Sequence, residues 1–390
     1  MQKIKNWALN YHFIFYIFVL LAVGVSLQRY LPAPTFEGRF TFYNNFILFK
    51  SSILHLLDGK DMYVAYENEG AWDLYKYSPT FAVFMLPYAY LPALPGLILW
   101  NLTNILLLYF AIKWLPYIDD KSKKIMLWFI VPELLLSAQS SQSNGIIAAL
   151  FLLAYSAFEK NKIVSAVLCI GIATCIKPYA AILGFMFLFY PGKLRFVLSS
   201  ITIALILLAL PLAITSFANV QSQYKSWFNM MSMDFSNSTG LSVMALVNDI
   251  TGSSINKNII MALGTLITFS TVFFYRIHNA PYFRVSFVAL LLLWVVIFNH
   301  KSESPTFIIP IVGVALWYFS REYNPLNLTL LLLVLVFSQL SSSDIFPAYI
   351  RHEIFEKIHI KVIPCFLVWG ALIISMYRKE TGPIRPERKI

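Results

Sequence analysis

The chain has 390 residues, of which 58% are hydrophobic and 13% charged, and apolar runs recur along nearly its whole length. This composition excludes a soluble globular protein, because a soluble core of this size does not require so much apolar sequence. The formal charge of +11 does not indicate a nucleic-acid partner, because the lysines and arginines fall in short clusters between apolar runs, as the positive-inside rule describes.

The prediction is an all-α polytopic protein of the cell inner (plasma) membrane, with residues 1–390 forming a single integral membrane domain. No polar block is long enough to bury a core of its own. The first apolar run follows a basic start, MQKIKNW, and lacks a small-residue cleavage site, so we interpret it as a retained helix. The three cysteines show no CxxC spacing and indicate neither a disulfide framework nor a zinc site.

Apolar runs are predicted to form twelve membrane-crossing helices. Twelve crossings put the basic clusters inside and both termini in the cytoplasm, except for Arg351, Lys357 and Lys361, which fall outside among acidic residues. The runs lie at residues 10–28, 94–116, 125–141, 144–158, 163–176, 178–191, 195–217, 258–275, 283–299, 306–319, 325–340 and 361–377.

A first external loop is predicted at residues 29–93. Its segment NNFILFKSSILHLLDG predicts an interfacial amphipathic helix that contains Asn45 and Lys50 and stops at Gly59. The run from Thr80 to Leu91 is short for a span and is interrupted by Pro87, so it is expected to lie in the outer interface. Between these segments the loop concentrates carboxylates, which are Asp58, Asp61, Glu67, Glu69 and Asp73.

The stretch WDLYKYSPTF, residues 72–81, leads back to the membrane. An aromatic belt with a snorkelling lysine would account for Tyr75, Lys76 and Tyr77 but not for the acids before them. A second external loop is predicted at residues 217–257.

Three shorter external turns are also polar. SAQSSQSNG offers an amide cluster, TCIKPYAAIL places Lys177 alone near membrane depth before a proline, and FNHKSESPTF gathers cations with an acid. Taken singly, these features fit a polar turn, a snorkelling lysine and a solvated ion pair. Together they offer ligands for phosphate or sugar hydroxyls, namely Gln142, Asn144, Lys177, His300, Lys301 and Glu303.

These motifs together resemble glycosyltransferase family 87, the polyprenol-phosphate-mannose-dependent mannosyltransferases, which have the C-type glycosyltransferase fold. The resemblance covers roughly residues 45–307. It includes a first external loop with interfacial helices and acids, a Y-x-Y-x-P entry, a Q-x-N before an apolar helix, and a lysine before a proline. The matching residues are Tyr75, Tyr77 and Pro79, then Gln142 and Asn144, then Lys177 and Pro178, and the SPTF after His300.

The resemblance implies transfer of mannose or another hexose from a polyprenyl-phosphate donor to a glycan or glycolipid acceptor at the bilayer's outer face. No cofactor is expected. A divalent metal serves some C-type enzymes, but the sequence shows no compelling carboxylate pair for one. The substrate-binding residues are expected to be Asn45, Lys50, Tyr75, Lys76, Tyr77, Gln142, Asn144, Lys177, His300, Lys301 and Glu303.

One departure from the family concerns the base. The family carries an Asp near the start of the first interfacial helix, and Asn45 stands at the matching position. An amide cannot take a proton from a hydroxyl, so another acid serves, the chemistry differs, or activity has been lost. Asp73 is the first replacement considered and Glu69 the second, because both precede the returning interfacial segment.

The alternative function is a transporter or flippase for a lipid-linked or anionic substrate. Glu133 and Lys177 within or near the membrane would suit such a pathway. Against it, the halves show no obvious internal repeat and the polar residues gather on one side rather than at the midplane.

Overall fold

A computed structural model describes residues 8–32, 41–66, 69, 73–233, 238–253, 255–273 and 280–378. The residues described here are organised as helices joined by turns, and they form no β-strand. Glu67 and Trp72, singled out in the first external loop, lie outside the described residues.

The α-helices are α1 Tyr11–Tyr30, α2 Asn44–Asp58, α3 Pro79–Phe84, α4 Leu86–Ala89, α5 Ala93–Lys113, α6 Asp120–Phe129, α7 Val131–Gln139, α8 Asn144–Glu159, α9 Ile163–Ile176, α10 Lys193–Ala209, α11 Phe217–Met233, α12 Val243–Thr251, α13 Lys257–Ser270, α14 Pro281–Ile297, α15 Ile308–Phe319, α16 Pro325–Leu333 and α17 Val362–Tyr377. The 3₁₀ segments are Pro178–Phe189, Leu210–Ala213, Thr271–Phe273 and Ser304–Phe307, and the π segments are Val334–Gln339 and Ile350–Phe355.

Helix covers most of every predicted apolar run. By length and composition, three of the described helices can cross a membrane: Tyr11–Tyr30, Ala93–Lys113 and the continuous segment Lys193–Ala213. Eight further apolar helices have 10–17 residues. Since an α-helix rises 1.5 Å per residue and the hydrocarbon core is about 30 Å thick, the number of crossings stays a prediction.

Helix breaks occur where the sequence removes a backbone donor or permits a left-handed residue. The predicted run 125–141 is divided at Ile130 into α6 and α7, and Pro132 lies in the first turn of α7. Gly59 ends α2 with a φ of 70°, a conformation that costs glycine little. The segment from Thr80 to Leu91 forms two short helices that meet at Met85. Its first residues are all buried, so this part does not have the one buried and one exposed face of an amphipathic helix.

The core is centred on α14, which packs against α15 and α17. A Cβ on Gly313 of α15 would lie 2.9 Å from the carbonyl oxygen of Ala289, so the glycine lets the two backbones approach closely. By contrast, α10 exposes most of its leucine and isoleucine side chains, and Leu207 is its one buried residue. An apolar helix with an apolar outer surface is typical of a protein surrounded by lipid.

A buried ion pair joins distant parts of the bundle. Lys361 Nζ lies 2.8 Å from Glu133 Oε1, with the side chains 4% and 0% exposed respectively. The same ammonium donates to Ser304 Oγ at 2.8 Å. The pair therefore links α7, the start of α17 and the 3₁₀ turn that follows Glu303.

Candidate active site

A cavity of about 510 Å³ lies where the polar turns of the chain converge. Its volume is in the range of about 300–1,000 Å³ that is common for small-molecule sites. Its walls come from the start of α2, the strip of residues 73–77, the turns around residues 140–142 and 176–179, the end of α14, and the segment 298–306. Met231 and Met261 add apolar side chains from α11 and α13.

Four basic side chains line this cavity, and they come from three separate segments. Lys177, His300, Lys301 and Lys76 are all lining residues. The apolar part of the wall includes Trp294 and Phe298 at the end of α14, with Leu48 of α2. The cavity thus combines positive charge with an apolar surface.

A chain of hydrogen bonds fixes Lys177. Its Nζ donates to Asn144 Oδ1 at 2.8 Å, Asn144 Nδ2 donates to Gln142 Oε1 at 2.5 Å, and Gln142 Nε2 donates to Glu303 Oε2 at 2.8 Å. Asn144 also donates to the carbonyl oxygen of Pro305 at 3.0 Å. The network connects a cation to a carboxylate through two amides and holds both on the cavity wall.

Lys177 lies in the turn between α9 and the following 3₁₀ segment, outside both helices. Burial lowers the pKa of its ammonium to about 8, and the negative charge of Glu303 opposes this shift. Lys177 is therefore mostly charged at neutral pH and becomes neutral in mildly alkaline solution.

The turn that carries His300 and Lys301 is held from two sides. Leu241 N donates to the carbonyl oxygen of Ser302 at 2.8 Å, and Ser302 Oγ donates to the carbonyl oxygen of Val296 at 2.6 Å. Gly240 passes so close to this turn that a Cβ there would lie 2.8 Å from the carbonyl oxygens of His300 and Ser302. The second predicted loop therefore supports the turn directly.

Asp73 lines the cavity. Its Oδ1 accepts a hydrogen bond from Leu74 N at 2.8 Å and lies 3.0 Å from Lys76 Nζ. The Asp73 side chain is 34% exposed, so a substrate hydroxyl can reach the carboxylate.

Glu69 occupies a different position. Its Oε1 lies 2.6 Å from His55 Nε2, and its surroundings form a smaller pocket of about 20 Å³ beside the cavity. His55 also packs against Tyr66, with ring centroids 4.1 Å apart. Asp73 borders both spaces, whereas Glu69 lines only the smaller one.

Asn45 lines the cavity, and its Nδ2 donates to the carbonyl oxygen of Ser140 at 2.8 Å. A carboxylate could not make this bond, because it has no proton to donate. The asparagine thus holds α2 against the turn before α8 through its amide nitrogen. Its amide oxygen is its second polar side-chain atom.

Three of the predicted binding residues do not line the cavity. Lys50 Nζ donates to the carbonyl oxygen of Leu91 at 2.5 Å and so holds α2 against the end of the returning segment. Tyr75 is buried, and its hydroxyl donates to the carbonyl oxygen of Ser78 at 3.0 Å. Asn144 lies behind the wall and acts through Lys177 and Gln142. The remaining predicted residues line the cavity, and they are Asn45, Lys76, Tyr77, Gln142, Lys177, His300, Lys301 and Glu303.

Sequence reasoning missed two donors in the wall. Tyr179 and Trp294 line the cavity, and Tyr179 Oη and Trp294 Nε1 are buried with no hydrogen-bond partner among the described residues. Trp294 stands inside an apolar run, where nothing in the sequence separates it from the core. Tyr179 could have been predicted more easily than Trp294, because it lies two residues after Lys177 in a turn that the lysine and the following proline had already singled out.

Among the described residues, no group of three or more His, Cys, Asp or Glu side chains is arranged to hold a metal ion. Glu133 pairs with Lys361, whereas Lys177 lines the cavity and bonds to Asn144. The two residues that suggested a transporter therefore take part in different contacts.

Comparison with known protein families places the chain. A family model described as glycosyltransferase family 87 matches residues 75–343. The chain belongs to glycosyltransferase family 87. It is therefore a glycosyltransferase-family enzyme, and its apolar helices agree with the membrane association of that family. No curated protein matches the chain. The family match begins two residues after Asp73, so it includes the cationic turns but not the start of α2.

Proposed function

We propose that this family 87 glycosyltransferase moves mannose or another hexose from a polyprenyl-phosphate donor to an acceptor hydroxyl, at the outer face of the inner membrane. The observation that supports this most directly is the cavity, in which Lys177, His300 and Lys301 share a wall with Asp73 and with apolar side chains. A phosphate attached to a lipid requires cations and an apolar surface in the same place.

The donor would place its phosphate near the basic side chains and the start of its polyprenyl tail along the apolar wall. Trp294 and Phe298 supply that wall, and Met261 of α13 extends it. Tyr179 Oη and Trp294 Nε1 could satisfy their hydrogen-bonding capacity on the donor, because they have no partner among the described residues.

The reaction needs one base. Asp73 takes the proton from the acceptor hydroxyl while that oxygen attacks the anomeric carbon of the donor sugar. A new carbon–oxygen bond forms, the bond between the anomeric carbon and the phosphate oxygen breaks, and the electron pair leaves with polyprenyl phosphate. The proton ends on the Asp73 carboxylate, so no cofactor or redox partner is required.

Negative charge grows on the phosphate as it leaves. Lys177 is held by Asn144 at 2.8 Å and is therefore positioned before the reaction begins. A preorganised cation stabilises the transition state more than one that must reorient, and loss of one such contact typically costs about 3 kcal/mol, or roughly a hundredfold in rate. Glu303 and Gln142 hold this cation in place through the amide chain.

The test replaces the proposed base without changing its size. Purified protein is supplied with polyprenyl-phosphate mannose and a glycan acceptor, and the polyprenyl phosphate formed from the donor is measured. Asp73→Asn should abolish its formation, because an amide cannot accept the proton. The matched control is Glu69→Gln, which alters the acid paired with His55 outside the cavity and should retain transfer.

If Asp73→Asn kept full transfer activity and Glu69→Gln lost it, the role of base would be assigned to Glu69. Activity in both variants would remove the first loop from proton transfer. No transfer by the wild-type protein with any polyprenyl-phosphate hexose would contradict the proposed donor class and favour the interpretation that Asn45 marks altered or lost catalysis.

A further inference from the structure

A second concavity lies beside the cavity, between the first loop and α11. We call it the groove. It has a volume of about 460 Å³, and its lining includes Asp61, Lys76, Ser226, Asn229, Met230 and Met233. Leu74 and Lys76 line both the groove and the cavity. The two spaces therefore adjoin across residues 74–76.

We infer that the groove is the acceptor site and binds the carbohydrate of the acceptor, while the cavity holds the donor. The inference rests on the proposed sugar transfer. The cavity concentrates basic side chains, as a phosphate requires. Among the described residues that line it, the groove instead offers a carboxylate, an amide, two hydroxyls and one ammonium. This mixture of donors and acceptors matches an uncharged, hydroxyl-rich ligand.

Methionine side chains complete the match with a carbohydrate. Met230 and Met233 place flexible thioether chains in the groove wall beside the polar groups. A sugar ring presents hydroxyls around its edge and C–H groups on its faces, so a wall with both polar and apolar parts can contact it on two sides. Asn229 is exposed on α11 and presents a side-chain amide that can both donate and accept.

The groove walls are already fixed. Ser226 Oγ donates to Asp61 Oδ2 at 2.8 Å, and Asp61 Oδ1 accepts from Tyr63 N at 2.9 Å. Gln223 of α11 accepts from Met62 N at 3.1 Å and donates to the carbonyl oxygen of Lys60 at 2.7 Å. These bonds attach α11 to the first loop on one side of the groove, so little ordering is left for a ligand to impose.

The position of Asp73 supports the assignment. Asp73 lines the cavity, and its carboxylate lies 3.0 Å from Lys76 Nζ, which borders both spaces. A sugar in the groove could therefore extend one hydroxyl past Lys76 to Asp73, while the anomeric carbon of the donor lies on the cavity side. A base located where donor and acceptor meet is what the transfer requires.

The experiment blocks the groove with a bulky side chain. Asn229→Trp is compared with Gln221→Trp, which puts the same side chain at an exposed position of α11 that lines neither space. Binding of methyl mannoside, methyl glucoside and maltotriose to protein in lipid nanodiscs is followed by isothermal titration calorimetry, without a donor. Wild-type protein and Gln221→Trp should bind at least one glycoside, and Asn229→Trp should weaken that binding by at least about tenfold, equivalent to about 1.4 kcal/mol.

Transfer assays supply the second readout. With polyprenyl-phosphate mannose as donor, Asn229→Trp should raise the KM for the acceptor and leave the KM for the donor unchanged. Equal glycoside binding by Asn229→Trp and wild type, or no binding by wild type, would overturn the groove assignment. Glycoside binding that is lost in Asn229→Trp, together with no turnover of any polyprenyl-phosphate donor, would retain the groove and reject the proposed function.

Discussion

Two amides and a lysine show how single residues divide the work of this site. Asn45 stands where the resemblance led us to expect an acid, and its bond to the carbonyl oxygen of Ser140 uses a donor that an ionised acid lacks. Asn144 directs its oxygen to Lys177 and its nitrogen to Gln142. Asn45 therefore holds α2 against the neighbouring turn, whereas Asn144 positions the ammonium of Lys177.

Lys177 gives the first prediction at this scale. Lys177→Met should lower kcat/KM by roughly a hundredfold, because a neutral side chain cannot stabilise the leaving phosphate. Lys177→Arg should retain much more activity, since it keeps the charge. Steady-state kinetics with a polyprenyl-phosphate hexose will measure both, and wild-type rates in Lys177→Met would exclude the cation from the reaction.

The same residue predicts a pH dependence. Burial lowers the pKa of Lys177 to about 8, so the charged form predominates below that pH and is lost above it. The kcat/KM of the wild-type protein should therefore fall as pH rises through about 8. Lys177→Arg should not show this fall, because arginine stays protonated throughout the range. An identical alkaline limb in both proteins would assign the limb to another group.

At the scale of helices and turns, the sequence predicted where these elements lie along the chain better than it predicted which side chains contact each other. The apolar runs located the helices because prolines, glycines and charges bound them, as Pro178 and Gly59 do. The short external turns were singled out because cations and amides are costly near a membrane. Glu69 could not be separated from Asp73, because its contact with His55 depends on how the loop folds back on α2.

Gly240 tests how one segment supports another. Gly240→Ala should reduce transfer activity and thermal stability, because its Cβ would lie 2.8 Å from two carbonyl oxygens of the turn that carries His300. Gly252→Ala is the matched control, since Gly252 has a similar φ of +62° but no atom of the described residues within 4 Å of the added carbon. Thermal unfolding and kinetics should show a larger loss for Gly240→Ala. Equal losses would mean that backbone strain alone accounts for the effect.

The buried pair of Glu133 and Lys361 gives a second prediction at this scale. Lys361→Met should destabilise the protein by about 3–5 kcal/mol, because it leaves a carboxylate buried without its partner. The double variant Glu133→Leu with Lys361→Met should recover most of that loss, since no uncompensated charge remains. A double-mutant cycle on thermal unfolding measures the coupling, and additive losses would show that the two charges do not stabilise each other.

For the whole molecule, the arrangement of loops on two sides of the bilayer decides whether the site can work as proposed. The charged side chains of the cavity and the groove lie at turns and loops predicted to be external, and α11 lies within the predicted loop 217–257. The basic residues around α6 belong to the opposite side if twelve helices cross. A donor phosphate at the outer surface therefore requires residue 121 and residue 225 to face different compartments.

Single cysteines at those two positions test this arrangement. Lys121 and Lys225 are both exposed, so Lys121→Cys and Lys225→Cys can be labelled in a background whose three native cysteines are replaced by serine. An impermeant maleimide added to intact cells should label Lys225→Cys and leave Lys121→Cys unlabelled until the membrane is permeabilised. The charge pattern demands this result, because an odd number of crossings between the two positions separates them. Labelling of Lys121→Cys from outside would reverse the orientation or change the number of crossings, and the outer-face location of sugar transfer would then be wrong.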